Sequence, residues 1–222
     1  IPLQYGIAKR RSATFSDAQG LNSATRLERF VVTRVRDYSF ARITGETIQA
    51  TEGNADAFLK YATMEIDGAI KSLTRSLAVA MYGDGSGKLG DIKTGGLSAN
   101  TNGTGRTIEL ENKESVTNFE VGMTLKFVQS LAHAPRAATF EITSVDRDTG
   151  ILTGTIANSA NAAADTDFLV QLGDYTHAGG DANGNPLKLA GLESWIPAGT
   201  PANLFGVTRT TDRTRLAGVP FD

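Results

Sequence analysis

The chain has 222 residues and a net charge of −2, with 22 Lys and Arg against 24 Asp and Glu. That is length enough for one large or two smaller domains, and the balance excludes a global field toward nucleic acid or membrane. It contains no cysteine, which excludes a disulfide framework, thiolate metal sites and a cysteine nucleophile, and no apolar run approaches the roughly 20 residues that span a bilayer. No signal peptide is visible. The chain starts at Ile1 and stops at Asp222 directly after a patterned segment, so it reads as a fragment of a longer product.

Charge is unevenly spread. Residues 1–50 hold eight basic side chains (Lys9, Arg10, Arg11, Arg26, Arg29, Arg34, Arg36 and Arg42) against four acidic ones (Asp17, Glu28, Asp37 and Glu46). A basic head on an acidic body can bind nucleic acid, dock on a neighbour's acidic face, or be a plain solvated strand face. The run RFVVTRVRDYSFARITGETIQA, residues 29–50, is rich in Val, Ile, Thr and aromatics and reads as extended. Val32, Arg34 and Arg36 share one face by period two, with Val31, Thr33 and Val35 on the other. Ser16 to Thr25, SDAQGLNSAT, has loop-tip composition, so residues 1–53 are expected to form a long, projecting hairpin.

From Ala55 to Tyr82 the period changes. Leu59, Ala62, Ile66, Ala69/Ile70, Leu73, Leu77 and Ala80/Met81 recur at threes and fours, the pattern of one amphipathic helix capped by Asn54 or Asp56. At 1.5 Å per residue it is roughly 40 Å long, more than a small domain needs to close over its own core. A Gly- and Asn-rich connector, 83–105, follows. Residues 106–176 read as a small β barrel or sandwich, with TIEL, MTLKFV and DFLVQL as strands and a hairpin across Asp146 to Gly150. Residues 177–222 are loop-like, with four prolines.

The stretch MYGDGSGKLG, residues 81–90, imitates a phosphate loop. A P-loop requires Gly where Tyr82 stands and Ser or Thr where Leu89 stands. Gly85, Gly87 and Gly90 spell G-x-G-x-x-G, but they follow a helix instead of opening one, so Gly83 and Gly85 read as the left-handed helix C-cap. Asp181-Ala182-Asn183-Gly184-Asn185 resembles the start of a calcium loop, but Pro186 and Leu192 replace the required Gly and Glu, leaving a polar turn. His133 and His177, the only histidines, have no metal-site spacing. The pairs Glu109/Glu111 and Asp165/Asp167 read as solvated strand edges. Trp195, the only tryptophan, reads as a core or subunit anchor. No catalytic residue, metal or cofactor site emerges.

The order of features carries a resemblance. A hairpin arm leads into FLKYATMEIDGAIKSLTRSLAVAMYGDGSG; NFEVGM and VDRDTGILT follow, then GLESWIP and LFGVTRTTDRTRLAGV. This resembles, over nearly the whole chain, the major capsid proteins of tailed bacteriophages, in the subgroup with a β domain inserted after the long helix. The resemblance implies an α+β fold seen in part. Residues 1–53 would be the projecting arm, or E-loop, lying over a neighbouring subunit, and 54–105 the spine helix and connector of the peripheral domain. Residues 106–176 would be the inserted β domain, 177–222 a truncated return, and the axial domain would follow Asp222. It implies a non-enzymatic subunit of an icosahedral shell, assembled in the bacterial cytoplasm and residing in the virion. Its partners would be copies of itself, a scaffold or protease during assembly, and the enclosed DNA indirectly, with no membrane and no small-molecule substrate. Arg10, Arg11, Arg34, Arg36 and Trp195 are the expected interface residues. Relatives that crosslink do so through a lysine on the arm, and Ser16 to Thr25 contains none. The competing expectation is a surface- or carbohydrate-binding β module on a helical stalk, for which Phe119, Phe127, Phe140, Phe168 and Tyr175 are the available aromatics.

Overall fold

The structure, a computed structural model, describes all residues other than 22, 33, 52, 159–162, 177–184, 202 and 220–222. In chain order the elements are β1 (Pro2–Gly6), α1 (Phe15–Gly20), β2 (Arg26–Arg29), α2 (Gly45–Ala50), α3 (Ala55–Tyr82), β3 (Lys88–Leu97), β4 (Gly103–Leu110), β5 (Thr124–Val128), β6 (Thr139–Asp146), β7 (Ile151–Ala157), β8 (Phe168–Gln171), β9 (Tyr175–Thr176), β10 (Asn185–Pro186), α4 (Leu192–Trp195) and α5 (Arg213–Leu216). They divide between two compact units, Ile1–Arg34 with Leu192–Asp222, and Val35–Gly191.

In the first unit β1 and β2 pair antiparallel, with Leu3 opposite Glu28 and Gln4 opposite Leu27. The expected hairpin is therefore present in short form. Its connection is not the expected bare loop, because α1 occupies Phe15–Gly20. Trp195 sits between Phe30 and Phe205, with ring centroids at 5.5 and 6.1 Å. Such aromatic clusters add to the area they bury. Arg209, buried, donates to the Ser194 carbonyl at 2.5 Å, and Arg215 reaches the Tyr5 carbonyl at 2.6 Å. These contacts hold the C-terminal segment to the β1–β2 pair.

The expectation of an extended run over 29–50 fails beyond Arg29. Among the described residues 30–44 form neither helix nor strand, and Gly45–Ala50 is helical. Strand propensity becomes a strand only where a neighbour completes the ladder. Within this unit Val31 N–H bonds the Phe205 carbonyl at 2.8 Å, and no ladder is built from there. Thr44 instead caps α2, its hydroxyl accepting from Thr47 N–H at 3.3 Å.

The second unit contains α3 and a closed antiparallel barrel of order β3-β4-β7-β6-β5-β8. Of the two forms expected from sequence, barrel and sandwich, the barrel is found. Alternation fills its interior: Ile108, Leu125, Phe127, Phe140, Leu152 and Leu169 have no exposed surface. Phe127 and Phe140 meet edge to face at 6.5 Å. The barrel starts earlier than the sequence suggests, because β3 lies inside the stretch read as connector. Its glycines dilute the period-two signal, yet one of them has no room for a side chain: a Cβ on Gly96 would stand 2.9 Å from the Glu109 and Lys93 carbonyl oxygens. The β6–β7 hairpin turns across Asp146 to Gly150 as expected, with Asp146 opposite Ile151.

Candidate assembly surface

α3 has the span that its periodicity predicts, Ala55–Tyr82, and is 28 residues long, about 42 Å at 1.5 Å per residue. Asn54 caps it, its side-chain oxygen accepting from Ala57 N–H at 3.1 Å. Not one of its residues is buried. Ala62, Glu65, Ala69, Ser76, Val79 and Ala80 form a half-buried side. A separate row, Leu59, Ile66, Ile70, Leu73, Leu77 and Met81, is 38 to 60% exposed. That row holds the large side chains of the expected apolar stripe, and no described residue of the unit covers it. Each fully buried Leu, Ile or Met is worth roughly 1.5–3 kcal/mol, so an exposed row of six is the largest unspent apolar resource on this helix.

The half-buried side is tied down by polar contacts that the sequence does not announce. Lys188 donates to Asp37 at 2.8 Å and to the Ser76 hydroxyl at 2.6 Å, and lies 3.2 Å from Asp174. One ammonium thus joins the segment before α2, the C-terminal part of α3 and the turn after β8. Burial raises the Asp174 carboxyl above its ordinary value, with Lys188 opposing. At Asp37 burial also pushes upward, but hydrogen bonds from Lys188 and Ser76 outweigh it and hold the group below its ordinary value. Arg75 pairs with Glu120 and reaches the Thr117 carbonyl, fastening α3 to the barrel rim. Between helix and rim lies a cleft of about 910 Å³, lined by Lys71, Arg75, Asp84, Glu120, Asp174 and Lys188 among others. Its charges are of both signs and largely paired with one another.

Lys188→Met is expected to cost about 2 kcal/mol at neutral pH, less than a fully buried pair because these groups are partly exposed. The loss should shrink as pH falls. Without the ammonium, two facing carboxylates raise each other's proton affinity above that of the unfolded chain, so protonation favours the folded variant. Urea unfolding of parent and variant at neutral pH and near pH 4 checks this; a constant difference would show that Lys188 acts by packing alone.

The glycine-rich stretch after α3 closes the helix and leads into β3. Gly83 is the C-cap residue, but its backbone is extended (φ −74°, ψ 175°), correcting the left-handed expectation for it. Gly191 packs so closely on the Ala80 and Met81 carbonyls that a Cβ there would overlap both. The left-handed residue comes later, at Gly85 (φ 86°), where any Cβ would also stand 3.0 Å from Ala190 Cα. The amide of Ser86 is bound by the Asp84 carboxylate at 2.8 Å, and that of Lys88 by the Ser86 hydroxyl at 3.2 Å. Those two amides are taken up within the loop, and the stretch runs from α3 into β3, so no helix N-terminus turns its amides toward it.

The other candidates fall as follows. Arg10, Arg11, Arg34 and Arg36 are exposed; Arg10 reaches the Ser23 carbonyl at 3.3 Å, and the division between units falls between Arg34 and Val35. Trp195 anchors the first unit and stays 39% exposed. His133 Nδ1 lies 2.7 Å from the Ser130 hydroxyl in a turn. His177 and residues 181–184 of the calcium-loop stretch lie outside the described residues, and Asn185 opens β10. Among the described residues no three His, Asp or Glu side chains gather as a metal site, and no helix is long and apolar enough to cross a membrane. The reading of Asp165/Asp167 as a solvated edge is corrected: Asp167 is fully buried and takes two hydrogen bonds from Arg136, at 2.5 and 2.9 Å. Phe119, Phe127, Phe140, Phe168 and Tyr175 are all buried, so none of the five offers a ring face to a sugar.

Comparison with known proteins adds no relative: no family model matches the chain, and no curated protein or solved structure is significantly similar to it.

Proposed function

We propose that this chain is a structural subunit that works by associating with copies of itself, and that its place is the shell of a tailed bacteriophage. The observation that carries the first part is α3, a 28-residue helix with no buried residue and six large apolar side chains in one uncovered row. Monomeric proteins cover such rows; repeated subunits leave them for a neighbour. The second part rests on the order of arm, long helix, β domain and the GLESWIP and LFGVTRTTDRTRLAGV segments. In this reading residues 1–53 are the E-loop arm, α3 is the spine helix and the barrel is the inserted domain. The buried aromatics of the barrel support it over the sugar-binding alternative.

Negative-stain electron microscopy of the full-length gene product tests the proposal. Closed shells, or rings of five and six subunits, are the expected result. Monodisperse monomers, both alone and with co-expressed phage assembly factors, would overturn it. Arg34→Glu with Arg36→Glu should lower the yield of shells about tenfold or more, since reversed charges at a docking arm repel where they attracted. The barrel's own unfolding transition should not move. Normal shells from that variant would remove the arm from the contact.

A further inference from the structure

Beside the apolar row of α3 runs a row of charge: Asp56, Lys60, Asp67 and Lys71. Their spacing of four, seven and four residues keeps them on one side of a helix with 3.6 residues per turn. All four are exposed, and none forms an ion pair or side-chain hydrogen bond with a described residue. Read backwards the row has the same spacing with every sign reversed, so it is complementary to itself end to end.

We propose that α3 pairs antiparallel with α3 of a second copy of this chain, about a two-fold axis that passes beside Thr63 and Met64. This deepens the assembly reading above and rests on it, by naming the partner surface. In that register Asp56 faces Lys71 of the other copy and Lys60 faces Asp67, and the two-fold repeats both pairs. Leu59, Ile66 and Ile70, each at least half exposed, interdigitate alongside and supply the apolar burial. A two-fold contact uses the same patch on both partners, which is what a self-complementary row requires. The alternatives are selected against. A parallel in-register pair sets each charge against its own kind. An antiparallel slip by one turn sets Lys60 against Lys71, or Asp56 against Asp67. The charges therefore choose register and direction, while the apolar row provides most of the attraction. Leu73, Leu77 and Met81 lie at or beyond the end of the overlap and remain available to other contacts.

The test uses two variants of the 222-residue chain, one carrying Asp56→Lys and Asp67→Lys, the other Lys60→Asp and Lys71→Asp. Sedimentation equilibrium at low salt, up to about 1 mM protein, is run on the parent, on each variant and on their equimolar mixture. The expected result is a concentration-dependent dimer for the parent and association weaker by about tenfold or more for each variant alone. In the mixture, pairing between the two variants should return to the parent's strength. Neither variant keeps an Asp–Lys pair within its own helix, so recovery on mixing can come only from contact between chains. Circular dichroism of each variant confirms that α3 remains helical. A second readout uses the absence of native cysteine: Thr63→Cys should oxidise readily to a self-linked dimer, and Ser72→Cys, on another side of the helix, should not. A monomeric parent, variants that associate as the parent does, or a mixture no tighter than its components would each overturn the pairing. Shells from the full-length product carrying either variant would leave the capsid reading standing while removing this contact from it.

Discussion

Asp167→Ala is expected to unfold the barrel at a much lower denaturant concentration, with a loss of about 3–5 kcal/mol. The Asp167 side chain has no exposure and that of Arg136 is 18% exposed, so water does little to screen either charge. Three donors converge on the carboxylate: Arg136 Nε at 2.5 Å, Arg136 Nη2 at 2.9 Å and the Ala164 amide at 2.8 Å. The backbone takes part as well, since the Asp167 carbonyl accepts from Ile92 N–H at 3.1 Å and Arg136 N–H donates to the Phe127 carbonyl at 2.8 Å. The pair thus fastens the segment before β8 to the β5–β6 connection beside β3, where the barrel closes. Removing the carboxylate leaves a guanidinium with its partner gone, which costs more than the pair itself contributed. Pairing Asp167→Ala with Arg136→Met should therefore recover part of the loss, read as a positive coupling in a double-mutant cycle. A shift below about 1 kcal/mol for Asp167→Ala, or strictly additive losses, would show that the closure does not depend on this contact.

Gly154→Ala carries the second large effect, about 3 kcal/mol of destabilisation from a single methyl group. Gly154 lies in β7 between β4 and β6, opposite Arg106 and Ile142. A Cβ there would overlap the Glu141 carbonyl oxygen and stand 2.7 Å from Phe140 Cζ. Neither neighbour can yield. The carbonyl belongs to the paired strand, and Phe140 is fully buried against Phe127. Gly68→Ala is the control: in mid-helix, with nothing within 4 Å of the added atom, it should stabilise by about 0.5–1 kcal/mol. Thermal unfolding of the two variants should move in opposite directions. If Gly154→Ala melted with the parent, the barrel would have to be looser around Phe140 than its packing indicates.

Most of what the sequence discloses about this protein is local in origin. α3 was legible to the residue, because a helix is written in contacts three and four positions apart and its cap, Asn54, stands directly before it. The β6–β7 hairpin was legible for a similar reason, since Asp146 to Gly150 contains its own turn chemistry. The run after Arg29 misled, because Val, Ile and Thr state a preference that only a partner strand can realise, and beyond Val31 no ladder forms. β3 was missed for the converse reason: a glycine-rich segment with little strand signal is drawn into the sheet because β4 and β8 flank it, and Gly96 lets it pass close to the Glu109 carbonyl of β4.

The candidate surface divides in the same way. The apolar row of α3 and the sign pattern of Asp56, Lys60, Asp67 and Lys71 are properties of the sequence, since both lie on one helix and need no other segment to define them. That no described residue of its unit covers the apolar row was decided by tertiary structure, as was the exposure of the four charges, of which Lys71 also borders the cleft. The buried Arg136–Asp167 pair and the Lys188 cluster were decided there too. Lys188 and Asp37 are 151 positions apart, and no periodicity links them. Composition and spacing determine which segments are helix or hairpin, because those states are stabilised by near neighbours. Which charges are buried, which glycines are indispensable and which apolar faces stay open depend on chain segments meeting across the fold, and that is settled only when the barrel closes.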